Sequence, residues 1–134
     1  ARAAGAWVHV DGAFGLWAAA SPAHARLADG YAEADSWATD AHKYLNAPYD
    51  SGVAFCRHPE QLRGAMMIGA NYLAATDRRE AMQYGPEMSR RARGVELWAA
   101  LRSLGRAGVA ELVARTCRHA RRLAEGLAAA GHTV

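Results

Sequence analysis

Lys43 is the one lysine in a chain of 134 residues whose 16 basic side chains are otherwise all arginine. Arginine keeps its proton in proteins and cannot become a nucleophile, whereas a desolvated lysine can. Lys43 stands in Asp40-Ala41-His42-Lys43-Tyr44, downstream of Val8-His9-Val10-Asp11-Gly12-Ala13-Phe14. Such an amine suits Schiff-base formation, and Asp11 suits the support of a cofactor held by that amine. Taken alone, one lysine in the chain is as readily a compositional accident.

Residues 7–10 alternate and are β-branched, so they read as a strand that ends at Asp11-Gly12. Residues 34–39 form a second strand candidate, residues 40–50 a loop, and residues 52–56 a third strand. Between the first two strands, residues 21–28 read as a short helix, with Ser21 as N-cap and Pro22 at its first position. Pro59 opens another helix, and periodicity then disappears from 66 to 88. From Val95 onward, Trp98, Leu101 and Leu104, then Leu112, Val113, Thr116, Ala120, Leu123 and Leu127, mark two amphipathic helices broken near Gly105 to Gly108. Their apolar stripes are expected to be core packing. Strands alternating with helical segments make this an α/β chain.

Ligands of such sheets bind beyond the carboxyl ends of the strands. If the first two strands are neighbours, Asp11 and Lys43 face one crevice. A carboxylate beside a pyridine nitrogen favours its protonated form, and the ring then accepts electron density from a substrate carbanion. Pyridoxal phosphate (PLP) enzymes use such an Asp together with a Schiff-base lysine. A metal site competes with that reading. His9 and Asp11 lie two apart on a strand and point to one face, and His42 could supply a third ligand. That arrangement would leave Lys43 idle.

Composition narrows the rest. Hydrophobic content of 51% and charged content of 22% fit a single globular domain. Residues 1–87 hold 7 basic and 10 acidic side chains, and residues 88–134 hold 9 arginines and 3 glutamates. The late arginines lack interleaved aromatics, so they read as a solvated helix face and not a nucleic-acid surface. Cys56 and Cys117 are far apart and have no metal-ligand spacing, which suits a reduced, cytoplasmic setting. No run is long enough for a membrane span. The chain opens without methionine and stops where another strand begins, so both ends read as cut from a larger protein.

The two motifs, with Asp35-Ser36-Trp37-Ala38-Thr39 ahead of Asp40, then Ser51-Gly52-Val53-Ala54-Phe55 and Met88-Ser89-Arg90-Arg91-Ala92-Arg93-Gly94-Val95-Glu96-Leu97-Trp98, resemble the group II PLP-dependent amino-acid decarboxylases. That family includes the aromatic amino-acid and glutamate decarboxylases, and the resemblance spans roughly Trp7 to Gly131. It implies a partial type I PLP-dependent transferase fold. Residues 1–87 would end the large cofactor domain, with a mobile loop near 66–87. Residues 88–134 would lead into the small C-terminal domain.

The resemblance also implies roles. Lys43 would carry PLP, with His42 contacting phosphate or substrate carboxylate. Asp11 would partner the pyridine nitrogen and Ala13 would lie against one ring face. Tyr72, in Asn71-Tyr72-Leu73 of the loop, would protonate the quinonoid carbon after carbon dioxide leaves an L-amino acid. Ser89 would reach the phosphate in the other subunit of a homodimer. Asp40 stands where asparagine commonly touches phosphate. Aspartate here also resembles carbon–carbon lyases such as sphingosine phosphate lyase, which leaves the reaction subtype open. An aminotransferase-like enzyme, a metal-dependent hydrolase and an inactive binding subunit stay open beside it. The phosphate cup and the group stacked on the other ring face would lie upstream, so residues 1–134 alone are expected to be inactive.

Overall fold

Among the described residues, three short strands form one sheet. The computed structural model describes residues 2–67 and 78–134, and the strands are β1 (His9–Asp11), β2 (Ser36–Asp40) and β3 (Gly52–Cys56). β1 runs parallel to β2, with Asp11 opposite Ala38, and β3 runs antiparallel to β2, with Gly52 opposite Asp40. The third strand falls where the sequence places it. The second sits further along, so Asp40 closes the strand and does not begin the loop. Two interactions draw it in: its ladder pairing with Gly52, and its backbone N–H donating to the Ala13 carbonyl at 3.3 Å.

The expected helix over residues 21–28 is replaced by tighter turns. Three-residue-per-turn helices occupy Gly15–Ala20, Ala25–Ala28 and Tyr31–Glu33. Ser21 does not cap a helix through its side chain; its Oγ lies 3.2 Å from His24 Nδ1. A segment interrupted by Pro22 and Gly30 is too short to repay the nucleation of an α-helix. It closes instead through local bonds such as Leu27 N–H to the His24 carbonyl at 2.9 Å. Downstream, α1 (Pro59–Met66) begins at proline as expected. The long helix α2 (Arg93–Ala129) breaks at Gly105, where φ 61° and ψ −180° are open in practice to glycine alone.

The buried cluster is small, and it is built around the turn that follows β2. Ala41, Leu45 and Ala47 pack with Val109 of α2, and Trp17, Ala20, Leu97, Leu104 and Leu112 close around them. The turn is shaped by Lys43 C=O accepting from Asn46 N–H at 3.2 Å and Ala41 C=O accepting from Ala47 N–H at 3.2 Å. Asn46 adopts φ 52°, a left-handed conformation that asparagine tolerates. Thr39, on the opposite face of β2 from Asp40, is buried, and its hydroxyl has no partner among the described residues.

The α2 stripe is only partly core. Val109 and Val113 are buried, whereas Val95 and Trp98 are each 63% exposed and Leu123 is 65% exposed. The expectation of core packing along the whole stripe is corrected by geometry. Beyond the break at Gly105, residues 106–129 make a helix about 36 Å long, while strands of five residues span about 17 Å. So small a sheet and its turns cover the residues around the break and leave the outer ends of both pieces open.

Gly12, directly after β1, is held by close approach. A Cβ there would stand 2.8 Å from Leu16 Cβ and 3.0 Å from the Ala38 carbonyl oxygen, where Gly12 N–H also donates at 2.8 Å. Gly12→Ala is expected to destabilise the full-length protein by about 1–3 kcal/mol, the usual cost of overpacking. Denaturant unfolding measures this, and a change under about 0.5 kcal/mol would mean that the turn relaxes freely.

Candidate functional site

The register of β1 and β2 places the chemistry on one face of the sheet. Side chains alternate along a strand, so His9 and Asp11 share a face with Ser36, Ala38 and Asp40. His9 Nδ1 lies 2.7 Å from Ser36 Oγ, as that arrangement requires. Asp11 is exposed at the strand end, and its Oδ1 accepts the Ala13 N–H at 3.2 Å. Its other oxygen has no partner among the described residues. Ala13 then turns back to Asp40 through its carbonyl. The two sequence motifs are therefore joined by backbone, and Asp11 and the Lys43 turn stand at the same end of neighbouring strands.

Lys43 Nζ donates to Asp40 Oδ2 at 2.8 Å and lies 4.3 Å from the centre of the Phe14 ring. A cation over an aromatic face is attracted by the ring quadrupole. Phe14 also meets Tyr44 edge-on at 6.4 Å between ring centres. Both members of the ion pair are about three-tenths exposed, 31% for Lys43 and 26% for Asp40. The pair is thus partly shielded yet reachable from solvent.

His42 is gripped from behind. Ser51, itself buried, donates its backbone N–H to His42 Nδ1 at 2.9 Å, and its carbonyl lies 3.0 Å from the same nitrogen. His42 Nε2 lies 3.9 Å from Asp40 Oδ2. The Ser51 carbonyl also accepts Ala41 N–H at 2.8 Å, which locks the start of the lysine turn to β3. The Tyr49 ring stands 4.3 Å from the imidazole.

A second set of contacts ties this turn to α2. Arg91 donates to the Tyr49 and Asp50 carbonyls at 3.2 and 2.9 Å. Arg93 Nε donates to the Asp50 carbonyl at 3.1 Å and to its carboxylate at 3.0 Å. Arg93 also reaches Glu87 Oε2 at 3.3 Å. The hydrogen bond from Arg93 holds the Asp50 carboxyl below the usual carboxylate range, and the same bond raises Arg93 above its ordinary value. The reading of the late arginines as a solvated face holds for Arg102, Arg106, Arg115, Arg121 and Arg122, which are exposed on α2. It fails for Arg91 and Arg93, which reach back to the lysine turn.

The predicted site residues divide accordingly. Asp11, Ala13, Asp40, His42 and Lys43 come together on one end of the sheet. Ser89 is exposed in the stretch leading into α2. Tyr72 lies outside the described residues. Phe14, Trp17, Ser51, Arg91 and Arg93 carry positioning roles that sequence reasoning missed. Trp17 Nε1 donates to the Asp40 carbonyl at 3.2 Å. Only Phe14 had a usable local signal, as an aromatic residue beside the Asp-Gly motif. Ser51 acts across nine positions of sequence, and Trp17, Arg91 and Arg93 across 23 to 43. For the rival metal reading, no group of three His, Cys, Asp or Glu side chains among the described residues is placed to hold an ion.

The residues present fit a pyridine-type cofactor carrying a carbonyl. An amine and an accessible carboxylate stand on one face at neighbouring strand ends, which is the donor set that such a ring requires.

Comparison with known proteins agrees. Residues 1–133 match the family model described as the pyridoxal-dependent decarboxylase conserved domain. Tyrosine/DOPA decarboxylase 2 of Papaver somniferum is 36% identical over 104 residues, covering 74% of this chain and 20% of that protein. The crystal structure of mouse CSAD superposes with a TM-score of 0.80 at 26% identity, covering 94% of this chain and 27% of that one. Oryza sativa TDC, solved with PLP and tryptamine, gives 0.72 at 29% identity, covering 79% and 23%. The chain therefore spans about a fifth to a quarter of the relatives that it matches.

The arginine clip has a pH signature. Because Asp50 is depressed in the folded state, its contribution is complete above the ordinary carboxylate value near pH ~4 and is lost as pH falls through the lowered one. Asp50→Asn is expected to lower amide protection across residues 42–51 at neutral pH, leaving the rest of the sheet unchanged. Hydrogen exchange measures this. Protection in the variant equal to wild type would show that the clip does not order the turn.

Proposed function

The chain belongs to the pyridoxal-dependent decarboxylase family and has part of the type I PLP-dependent α/β fold, and on that premise we propose that it forms the lysine-bearing wall of an amino-acid decarboxylase site. The observation that carries the proposal is the shared sheet face. Asp11 stands in register with Ala38, two residues before the Asp40 that binds the Lys43 amine. When bound, pyridoxal 5'-phosphate supplies an electron sink for the pair left on the substrate α-carbon.

The protein's own groups do the rest. Asp11 holds a proton on the ring nitrogen, since a nearby carboxylate stabilises the cation. Its single local hydrogen bond leaves an oxygen available for that work. Lys43 is the amine that attaches the cofactor covalently. Ala13 presents a small side chain beside Asp11, where bulk would obstruct a ring. His42, braced by Ser51, turns Nε2 towards Asp40, and protonated there it would suit a phosphate or a substrate carboxylate. Ser89, exposed ahead of α2, is assigned to a phosphate in the second subunit of a homodimer. Tyr72 is assigned as the acid that returns a proton to the substrate carbon. These last two assignments rest on the sequence resemblance, as does the division between residues 1–87 and 88–134.

No helix among the described residues is long and apolar enough to cross a membrane. Cys56 and Cys117 are both free and partly buried, which supports a reduced, cytoplasmic setting.

The test is borohydride reduction of the full-length protein with PLP, followed by peptide mapping. Label is expected on the peptide holding Lys43, and Lys43→Arg should abolish it, because a guanidinium cannot make the bond. Asp11→Asn should retain labelling and lower turnover by about 10²-fold or more, since ring protonation is then unsupported. Carbon dioxide release from an L-amino acid identifies the reaction as decarboxylation. Label on another lysine, or full turnover in Asp11→Asn, contradicts the assignment.

A further inference from the structure

We propose that Asp40 is a positioning residue that gives the Lys43 amine a defined resting place and must release it before the cofactor can attach. The inference rests on the assignment of Lys43 as the cofactor amine and concerns how that amine is controlled.

Four observations support it. First, the contact is direct and short, at 2.8 Å between Nζ and Oδ2. Second, Asp40 is an unusually well-fixed holder. It closes β2 opposite Gly52, its N–H donates to the Ala13 carbonyl, and its carbonyl accepts the Trp17 indole. Few backbone degrees of freedom remain to carry the carboxylate away. Third, the amine has a second wall in the Phe14 ring, 4.3 Å from Nζ, on the segment that leaves Asp11. The resting place therefore lies beside the end of β1, next to where the proposed ring partner stands. Fourth, the carboxylate has a successor for the amine. His42 Nε2 lies 3.9 Å from the same Oδ2 and is oriented by Ser51. When Lys43 swings out, a small approach of His42 satisfies the oxygen that would otherwise be left unpaired. An abandoned partner is what makes breaking a shielded pair costly.

This arrangement makes Asp40 a competitor of attachment as well as a guide for the amine. A neutral amide at the same place has no charge with which to retain an ammonium, so asparagine leaves the amine freer. Aspartate at this position trades speed of capture for a fixed starting point, on one side chain that rises from the strand end.

The experiment uses the full-length protein freed of cofactor. Wild type, Asp40→Asn and Asp40→Glu are exposed to a limiting amine-reactive ester at neutral pH, and the rate of modification at Lys43 is read by peptide mapping against an added free-lysine standard. Loss of a partly exposed ion pair is worth about 1.4- to fivefold, so Asp40→Asn should modify Lys43 faster by that factor. Asp40→Glu, which keeps the charge, should return the rate towards wild type. In a second readout, the ring absorbance change on adding PLP should appear faster in Asp40→Asn by a similar factor.

Equal modification rates in wild type and Asp40→Asn overturn the proposal, as does slower capture in the variant. If Asp40→Asn does not fold, as judged by circular dichroism, Phe14→Leu removes the other wall and should also raise Lys43 modification; no change there overturns it as well. The modification assay contains no cofactor, so it tests the Asp40–Lys43 hold even if borohydride labelling places the cofactor amine elsewhere. The two readings can therefore fail separately.

Discussion

The structure depends on one turn doing two jobs. Between β2 and β3, Ala41, Leu45 and Ala47 point inward and form the cluster against Val109 of α2. Between them, His42 and Lys43 stay partly exposed, at 12% and 31% of their side chains. Burying the small apolar residues fixes the backbone, and the fixed backbone aims the polar ones. The position of the amine therefore follows from hydrophobic packing, because the same few residues cannot satisfy the core in another orientation.

Electrostatics refine what packing sets. Asp40 and Lys43 neutralise each other in a partly shielded place, and Ser51 supplies backbone groups to both the imidazole and the turn. Arg91 and Arg93 then fasten Tyr49 and Asp50, at the far side of the turn, to the beginning of α2. The lysine turn is thus held at three points: by the sheet, by the helix core and by the arginines. Such redundancy leaves the turn one geometry.

The flanks of α2 show the limits of what this chain covers by itself. Its middle is buried by the turns, yet Val95, Trp98 and Leu123 stand well exposed. The piece of α2 beyond the Gly105 break, residues 106–129, still far exceeds strands three to five residues long. The chain also spans only about a quarter of the related structures.

Much was legible in the order of residues alone. The strand ending at Asp11-Gly12, the strand from Gly52 to Cys56, the proline-led α1 and the break at Gly105 all arise from local rules. Alternation, proline's fixed φ and glycine's access to positive φ operate within a few residues. That Asp11 and the Lys43 turn lie at the same end of the sheet was also readable, because strand polarity places both beyond carboxyl ends. What the sequence could not disclose was set by contacts between distant segments. Asp40 joined β2 because Gly52 and Ala13 lie across from it. Phe14 against the amine, Ser51 behind the imidazole and the two arginines on Asp50 are decided only when the chain closes on itself. Local propensity has no term for a partner 43 residues away, and tertiary structure decides whether that partner arrives.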